Sequence, residues 1–390
     1  MAVFFVSCQI GLEKDLQQEI EIFWHNLIDL DGLPTRSRPE FVEDEILGGV
    51  EINCETYLGY QINLFSKLAN RVLLRIHHFP VRFFDQFEKE LKKMDFSKYF
   101  GNDKFNISID ASKSRLFHEN NLMEAANKVL KNSLIKKQEN HCTVYIRIHK
   151  DKAVISLDTS GEHLHKRGYR QFQGAAPIRE TLAAKTYNFL LQAGLNNEID
   201  FSENSSKTIV LDPFCGSGTM LFEAASFHLP NLEQFYDFEK FQNREALFKS
   251  SVWKKNYKIE SKNMNQFLGF ELDIETFEKT QKNFEIFKTY YPSFDSKNMK
   301  FENKNSVDIQ KQDLPINSES IFILTNPPYG ERLSSNQALD VLYKIESSLD
   351  LKGIVMIHPE SWNIKFKKLN FKRAINFNNQ GLKLKLSLFS

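Results

Sequence analysis

The sequence predicts an α/β protein in which a mostly parallel, doubly wound sheet with an antiparallel last strand follows an α+β region. Three observations carry this reading. In the second half, the short apolar runs Thr208–Leu211, Phe267–Phe270, Ile321–Thr325 and Ile354–Ile357 alternate with helical stretches, the pattern of parallel strands joined by helical crossovers. At the end, Ala374–Phe377, the turn Asn378–Gly381 and the alternating Leu382, Leu384, Leu386 and Leu388 describe a closing hairpin. The front half mixes strands and helices less regularly. Phe4–Ile10 suits a strand, and Leu16, Ile20 and Phe23 recur at helical spacing within Leu12–Trp24. Gly48–Ile52 reads as a strand after a charged connector, and Val144, Ile146 and Ile148 alternate within Thr143–His149.

With 390 residues the chain is too long for one ordinary domain. Its 41% hydrophobic and 26% charged residues exclude a mostly disordered chain. Lys plus Arg number 51 against 50 for Asp plus Glu, so any polyanion must be held by local patches. The four cysteines, Cys8, Cys54, Cys142 and Cys215, form no Cys-x-x-Cys pair. A disulfide framework and a structural zinc are therefore not expected, and a reducing cytoplasm is. Met1–Leu12 lacks a basic start and reads as a first strand rather than a signal peptide. No apolar run approaches the roughly 20 residues of a membrane helix, and neither a membrane nor an obligate protein partner is expected.

We place boundaries near residues 55 and 160. Residues 1–55 form an amino-terminal α+β subdomain, 56–160 a second module, and 161–390 the doubly wound domain. Pro177 suits a helix first turn, with Leu182, Ala183, Leu190 and Leu191 supplying the following apolar face. Asn196–Lys207 is a polar spacer. Residues 229–266, with Phe235, Tyr236, Phe238, Phe241, Trp253 and Tyr257, lie where a tight α/β unit needs only a short link. They read as a helical insertion, either with a small core of its own or acting as a lid.

The residues Asp212-Pro213-Phe214-Cys215-Gly216-Ser217-Gly218-Thr219 follow a strand and precede a helix. Gly216 and Gly218 permit a sharp turn and close approach of a ligand to main-chain N–H groups. The missing Lys-Ser/Thr ending excludes a Walker loop, and Leu221 stands where a dinucleotide fingerprint has its third glycine. Asp212 puts an anion in an otherwise anion-binding corner, which suits a ligand bearing an ammonium, such as the amino-acid end of S-adenosylmethionine. Glu271, at the tip of the next strand, is placed to accept hydrogen bonds from ribose hydroxyls. Asp273 reads as a helix N-cap ahead of an apolar face of Ile274, Phe277, Phe284 and Phe287.

Asn326-Pro327-Pro328-Tyr329-Gly330 follows a third strand. The two prolines fix the backbone and remove donors, leaving carbonyls and the Asn326 amide oxygen as acceptors. An exocyclic amine is the natural donor, and Tyr329 can stack on the ring that bears it. A rigid turn is the bland alternative for this motif alone. Cys215 invites reading as a nucleophile, but methylation of an amine needs no thiolate.

Between Lys128 and Arg170 ten basic residues, among them Lys136, Lys137, Arg147, Lys166, Arg167 and Arg170, stand against four acidic ones. This is a candidate phosphate-binding surface; a solvated face is the alternative. Lys365–Arg373 interleaves Lys365, Lys367, Lys368, Lys372 and Arg373 with Phe366 and Phe371. His163 and His165 lack accompanying ligands for a metal.

The second half, on its Gly-rich corner and Asn-Pro-Pro-Tyr motif, resembles the class I S-adenosylmethionine-dependent methyltransferases that modify exocyclic or amide nitrogens. More narrowly, Gly11-Leu12-Glu13, Gly48-Gly49-Val50, Asp158–Gly161, Leu164–Arg170, Ala176-Pro177, Asp212–Thr219 and Asn326–Leu333 resemble the THUMP-containing guanine-N2 methyltransferases of 23S ribosomal RNA. The resemblance covers essentially the whole chain. It implies a Rossmann-like methyltransferase domain, preceded by a ferredoxin-like region and a THUMP RNA-binding module. It further implies S-adenosylmethionine bound by Asp212, Phe214, Gly216, Ser217, Gly218, Thr219, Glu271 and Asn326, with Asn326, Pro327, Pro328 and Tyr329 catalytic. The substrate it implies is 23S RNA in an assembly intermediate. Asn305 stands where the family carries an Asp against the cofactor adenine, with Asp308 as a fallback. The same motif also serves adenine-N6 and glutamine methylation, and a vestigial domain in an RNA-binding assembly factor is the non-enzymatic alternative.

Overall fold

The computed structural model describes every residue except 43–46, 132, 135–140, 175–177, 204, 251–252, 258–263, 316–317, 330–334 and 380. Lys136, Lys137, Pro177 and Gly330 therefore lie outside the described residues. Two compact units are present: Met1–His165 with Gln234–Lys258, and Lys166–Glu233 with Ile259–Ser390. No helix among the described residues is long and apolar enough to cross a membrane.

The amino-terminal unit holds one seven-stranded sheet of β1 (Ala2–Ser7), β2 (Glu40–Phe41), β3 (Gly49–Cys54), β4 (Arg71–Pro80), β5 (Asn106–Ser112), β6 (Thr143–His149) and β7 (Lys152–Asp158), in the order β2-β3-β1-β4-β7-β6-β5. The helix Glu13–Trp24 buries Leu16, Ile20 and Phe23, as their spacing predicts. The sheet runs straight across residue 55: β1 pairs with both β3 and β4. The boundary expected there separates no sheets.

The aromatic insertion also differs from expectation. Gln234–Lys258 belongs to the amino-terminal unit, where Phe238 stacks on Tyr60 at 4.9 Å, Phe65 meets Tyr257 edge-on at 5.7 Å, and the Phe238 N–H donates to the Thr159 carbonyl. A segment this short cannot enclose a core by itself. Its rings are buried by joining those of residues 57–65 instead.

The carboxy-terminal unit holds β8 (Thr208–Asp212), β9 (Gln266–Glu271), β10 (Met299–Asn303), β11 (Ser320–Thr325), β12 (Leu351–Pro359), β13 (Phe371–Asn379) and β14 (Leu382–Phe389), in the order β10-β9-β8-β11-β12-β14-β13. Strands β8 to β12 are parallel, and β14 runs antiparallel between β12 and β13. This is the Rossmann-like sheet with an antiparallel last strand. One face buries Ile209, Leu211, Ile323, Ile354 and Met356 against Leu342 and Ile345 of the helix Ser335–Ser348. The order of connection reverses between β8 and β11, the switch point where an open α/β sheet leaves a crevice at its carboxyl edge.

Arg167 and Arg170, expected on the RNA surface, are instead structural. Arg167 is 3% exposed, and its guanidinium lies 3.4 Å from Glu223. The Tyr169 hydroxyl donates to the other Glu223 oxygen at 2.7 Å, and the Asn231 amide donates to the Arg167 carbonyl at 2.8 Å. Between them Gly168 sits at φ 93°, where a Cβ would also fall 2.4 Å from the Tyr290 ring. Arg170 pairs with Glu180 at 3.0 Å. Both cations are thus neutralised by carboxylates of their own unit. Arg167→Ala leaves Glu223 buried without this cation, so unfolding free energy should fall by about 3–5 kcal/mol in a denaturant titration. Unchanged stability would contradict this placement.

Candidate active site

At the switch point, β8 delivers Asp212 and the turn that follows it. Asp212 is 2% exposed; its Oδ1 accepts from the Thr325 hydroxyl at 2.7 Å and from the Phe214 N–H at 3.1 Å. No salt bridge reaches it among the described residues, and burial pushes its carboxyl up to about 7. Gly216, at φ 52°, faces open space, whereas a Cβ on Gly218, at φ 85°, would lie 2.6 Å from the Phe222 ring. The two glycines have different duties: Gly216 opens the corner to a ligand, while Gly218 lets the chain turn into the helix Thr219–Ala225.

Glu271, at the tip of β9, accepts one N–H on each carboxylate oxygen, from Gly216 at 3.0 Å and from Asp273 at 2.9 Å. Each oxygen keeps a second lone pair for a hydroxyl donor. Asp273 caps its helix as predicted, its Oδ2 accepting from the Thr276 N–H at 2.8 Å. Asn305, after β10, is exposed, and its side-chain oxygen accepts from the Val307 N–H at 3.2 Å. The Ser306 hydroxyl donates to the Pro213 carbonyl, tying this loop to the corner.

After β11 comes Asn326, whose Oδ1 is buried and has no hydrogen-bond partner among the described residues. A buried amide oxygen without a donor costs about 1–3 kcal/mol, so it is an acceptor held ready. Pro327 is buried, while Pro328 and Tyr329 are half-buried.

These tips enclose one cavity of about 1340 Å³. Asp212, Phe214, Gly216, Ser217, Thr219, Glu271, Asn305, Asn326, Pro327, Pro328 and Tyr329 all line it; of the residues expected around the ligand, Gly218 does not. Cys215 also lines it, but burial pushes its thiol well above the ordinary range, so it is no nucleophile. Asp308, the fallback for Asn305, is not among the lining residues. Ile274, expected on a buried helix face, is 52% exposed and lines the cavity together with Leu272.

Other participants were not legible from the sequence. Thr325 orients Asp212. Asn283 accepts from the Gln171 and Phe172 N–H groups at 3.1 and 3.0 Å and donates to the Ser217 carbonyl at 3.3 Å, tethering the segment before Gly174 to the Gly corner. Gln337, Asp340 and Lys344 line the cavity from the helix Ser335–Ser348. The signal for this last group is their spacing, which brings them to one helix face.

Of the other basic candidates, Arg147 is exposed on β6, 3.8 Å from Asp110, and Lys166 is exposed. In the second run Arg373 pairs with Glu198 at 3.0 Å, and Glu346 accepts the N–H groups of Lys367 and Lys368 at 3.0 and 2.6 Å, while Lys365 stays exposed.

Residues 167–352 match the family model described as UPF0020, RMKL-like, methyltransferase domain. That stretch is similar to RMKL-like methyltransferase domains. Over the longer span, the chain is 28% identical over 362 residues to the ribosomal RNA large subunit methyltransferase K/L of Cellvibrio japonicus, covering 87% of this chain and 44% of that protein. It is 26% identical over 386 residues to the protein of the same description from a Marinomonas strain, covering 92% of this chain and 47% of that one. The chain thus spans just under half the length of these curated relatives. Among solved structures, a possible methylase of Clostridium difficile 630 aligns with TM-score 0.71 at 26% identity, covering 100% of this chain and 97% of that one. TrmN from Thermus thermophilus aligns with TM-score 0.67 at 13% identity, covering 100% and 99%, a likeness of fold alone.

S-adenosylmethionine is the methyl donor that the sequence resemblance implies, and the residues lining the cavity fit that donor. A buried carboxylate without a cation suits the ammonium, a carboxylate with two free lone pairs suits the ribose diol, and Gly216 leaves the approach open.

Proposed function

We propose that this protein methylates the exocyclic N2 amine of a guanine in large-subunit (23S) ribosomal RNA, with S-adenosylmethionine as donor. It works in the cytoplasm on an assembly intermediate. The amino-terminal unit, read as a ferredoxin-like region with a THUMP module, captures the RNA through a surface that includes Arg147, and Lys166 of the carboxy-terminal unit adds a phosphate contact. The observation that carries the reading is the buried Asn326 Oδ1, without a partner among the described residues, in the same cavity as Asp212 and Glu271. The motifs around Leu164–Arg170 and Asn326–Leu333 and the descriptions of the K/L relatives support the RNA substrate.

When bound, S-adenosylmethionine supplies a methyl on a sulfonium, a leaving group good enough that alignment is most of the catalysis. Asp212 would hold the ammonium and Glu271 the ribose hydroxyls. Phe214, Leu272 and Ile274 would offer apolar surface to the adenine, with Asn305 at its edge. Asn326 Oδ1 and the Pro327 carbonyl would accept the two N–H bonds of the target amine, fixing the direction of its lone pair. Tyr329 would stack on the base, which must leave any helix to enter such a cavity.

Nucleoside analysis of ribosomal RNA from cells lacking the gene tests the reading. One N2-methylguanosine of the large-subunit RNA should disappear and return on complementation. Loss of an N6-methyladenosine instead would show the wrong amine, and an unchanged profile would remove ribosomal RNA as the substrate.

A further inference from the structure

Three connections meet at one end of the amino-terminal sheet. Strand β4 is antiparallel to β7, β7 is antiparallel to β6, and β6 is parallel to β5. The chain therefore leaves β4, β5 and β6 at the same edge, through residues 81–83, 113–118 and 150–151. Hydrogen bonds lock these loops together. The Val81 N–H donates to the Asp151 carbonyl at 2.8 Å, the Arg115 N–H to Asp151 Oδ1 at 2.7 Å, and the Asp151 N–H to the Ser114 hydroxyl at 3.1 Å. Lys113, Lys150 and Asp151 sit at φ 48°, 50° and 59°, a backbone region that such residues keep only where their surroundings impose it. The edge is built and held.

On this frame three aromatic side chains face solvent: Phe83, Phe84 and Phe117 are 49%, 37% and 54% exposed. Exposed cations stand among them: Arg82, Lys113, Arg115 and Lys150. The Arg115 guanidinium lies 5.0 Å from the Phe83 ring centre, and the His118 ring lies 3.9 Å from that of Phe117. Of the nearby acids, Asp151 is engaged by Arg82 at 3.3 Å and by the loop backbone, while Asp85 and Glu119 lie in the first turns of their helices.

Separate flat rings interleaved with cations match one ligand chemistry. Unstacked bases offer π-faces to the rings, and the phosphates between them offer charge to the guanidinium and ammonium groups. A duplex hides its base faces, and an apolar protein partner would leave Lys113, Arg115 and Lys150 without counter-charge. We infer that this loop edge grips single-stranded RNA, with Phe83, Phe84 and Phe117 stacking on unpaired bases and Arg82, Lys113, Arg115 and Lys150 pairing with the flanking phosphates. This rests on the reading that the protein acts on RNA and adds where, and in what form, the strand is held.

The test uses the full chain, a fluorescein-labelled oligouridine and a blunt RNA duplex, with affinity read by anisotropy across a salt series. The double variant Phe83→Leu, Phe117→Leu keeps apolar bulk and removes two rings; its Kd for oligouridine should rise at least about tenfold. Arg115→Ala should weaken binding and flatten the salt slope by about 0.7. Both variants should keep the wild-type melting curve and S-adenosylmethionine affinity. Unchanged oligouridine affinity, an equal loss on the duplex, or loss only of a protein from assembly particles would overturn the grip. A wild-type chain that binds neither probe nor ribosomal RNA would instead overturn the broader assignment to RNA.

Discussion

Asn326→Ala is expected to lower methyl transfer by about 10²–10³-fold while S-adenosylmethionine still binds with nearly its original affinity. The side-chain oxygen is buried without a partner among the described residues, so the protein already bears the cost of keeping an acceptor dry. That cost is recovered only when an N–H donor arrives, which is why removing the oxygen should affect turnover more than cofactor affinity. Asn326→Asp keeps an acceptor oxygen and should retain more activity than the alanine variant. Single-turnover transfer with labelled donor, beside calorimetric titration of the cofactor, separates the two effects. Full activity of the alanine variant would remove Asn326 from the reaction.

Asp212→Asn should produce the opposite division, with cofactor affinity as the quantity lost. The substitution preserves shape and an acceptor for Thr325, but removes the charge that would face the ammonium. Losing one partner of a buried charge pair costs about 2–5 kcal/mol, or roughly 30- to 4000-fold in Kd. A pH dependence accompanies this. With the free-state carboxyl near 7, the proton must leave before an ammonium can pair with it. Affinity should therefore fall by up to tenfold per unit as the pH drops below about 7. The Asn variant should show no such slope. Calorimetry across this range checks both; a wild-type affinity flat through neutrality would contradict the pairing.

The cavity was legible in the sequence because its parts are local. Each of Asp212–Thr219, Glu271 and Asn326–Tyr329 follows its own short apolar strand, and parallel topology brings such strand ends together without further information. Burial of cations was not legible in the same way. Arg167 and Arg170 look like phosphate ligands until Glu223 and Glu180 are found beside them, and Glu223 is supplied by a helix on the far side of the Gly corner. The aromatic insertion signalled a core but not whose, since its partners Tyr60 and Phe65 lie far away in the chain. Phe83 and Phe117 gave no signal at all. Only the direction of β4, β5 and β6 brings their loops to one edge.

The most direct measurement is in vitro transfer from S-adenosylmethionine labelled in its methyl group to large-subunit ribosomal RNA purified from cells lacking the gene, followed by complete digestion and separation of nucleosides. Label in N2-methylguanosine, absent with the Asn326→Ala protein, is the predicted result. Label in another nucleoside, or no transfer by a chain that demonstrably binds its cofactor, would contradict the account.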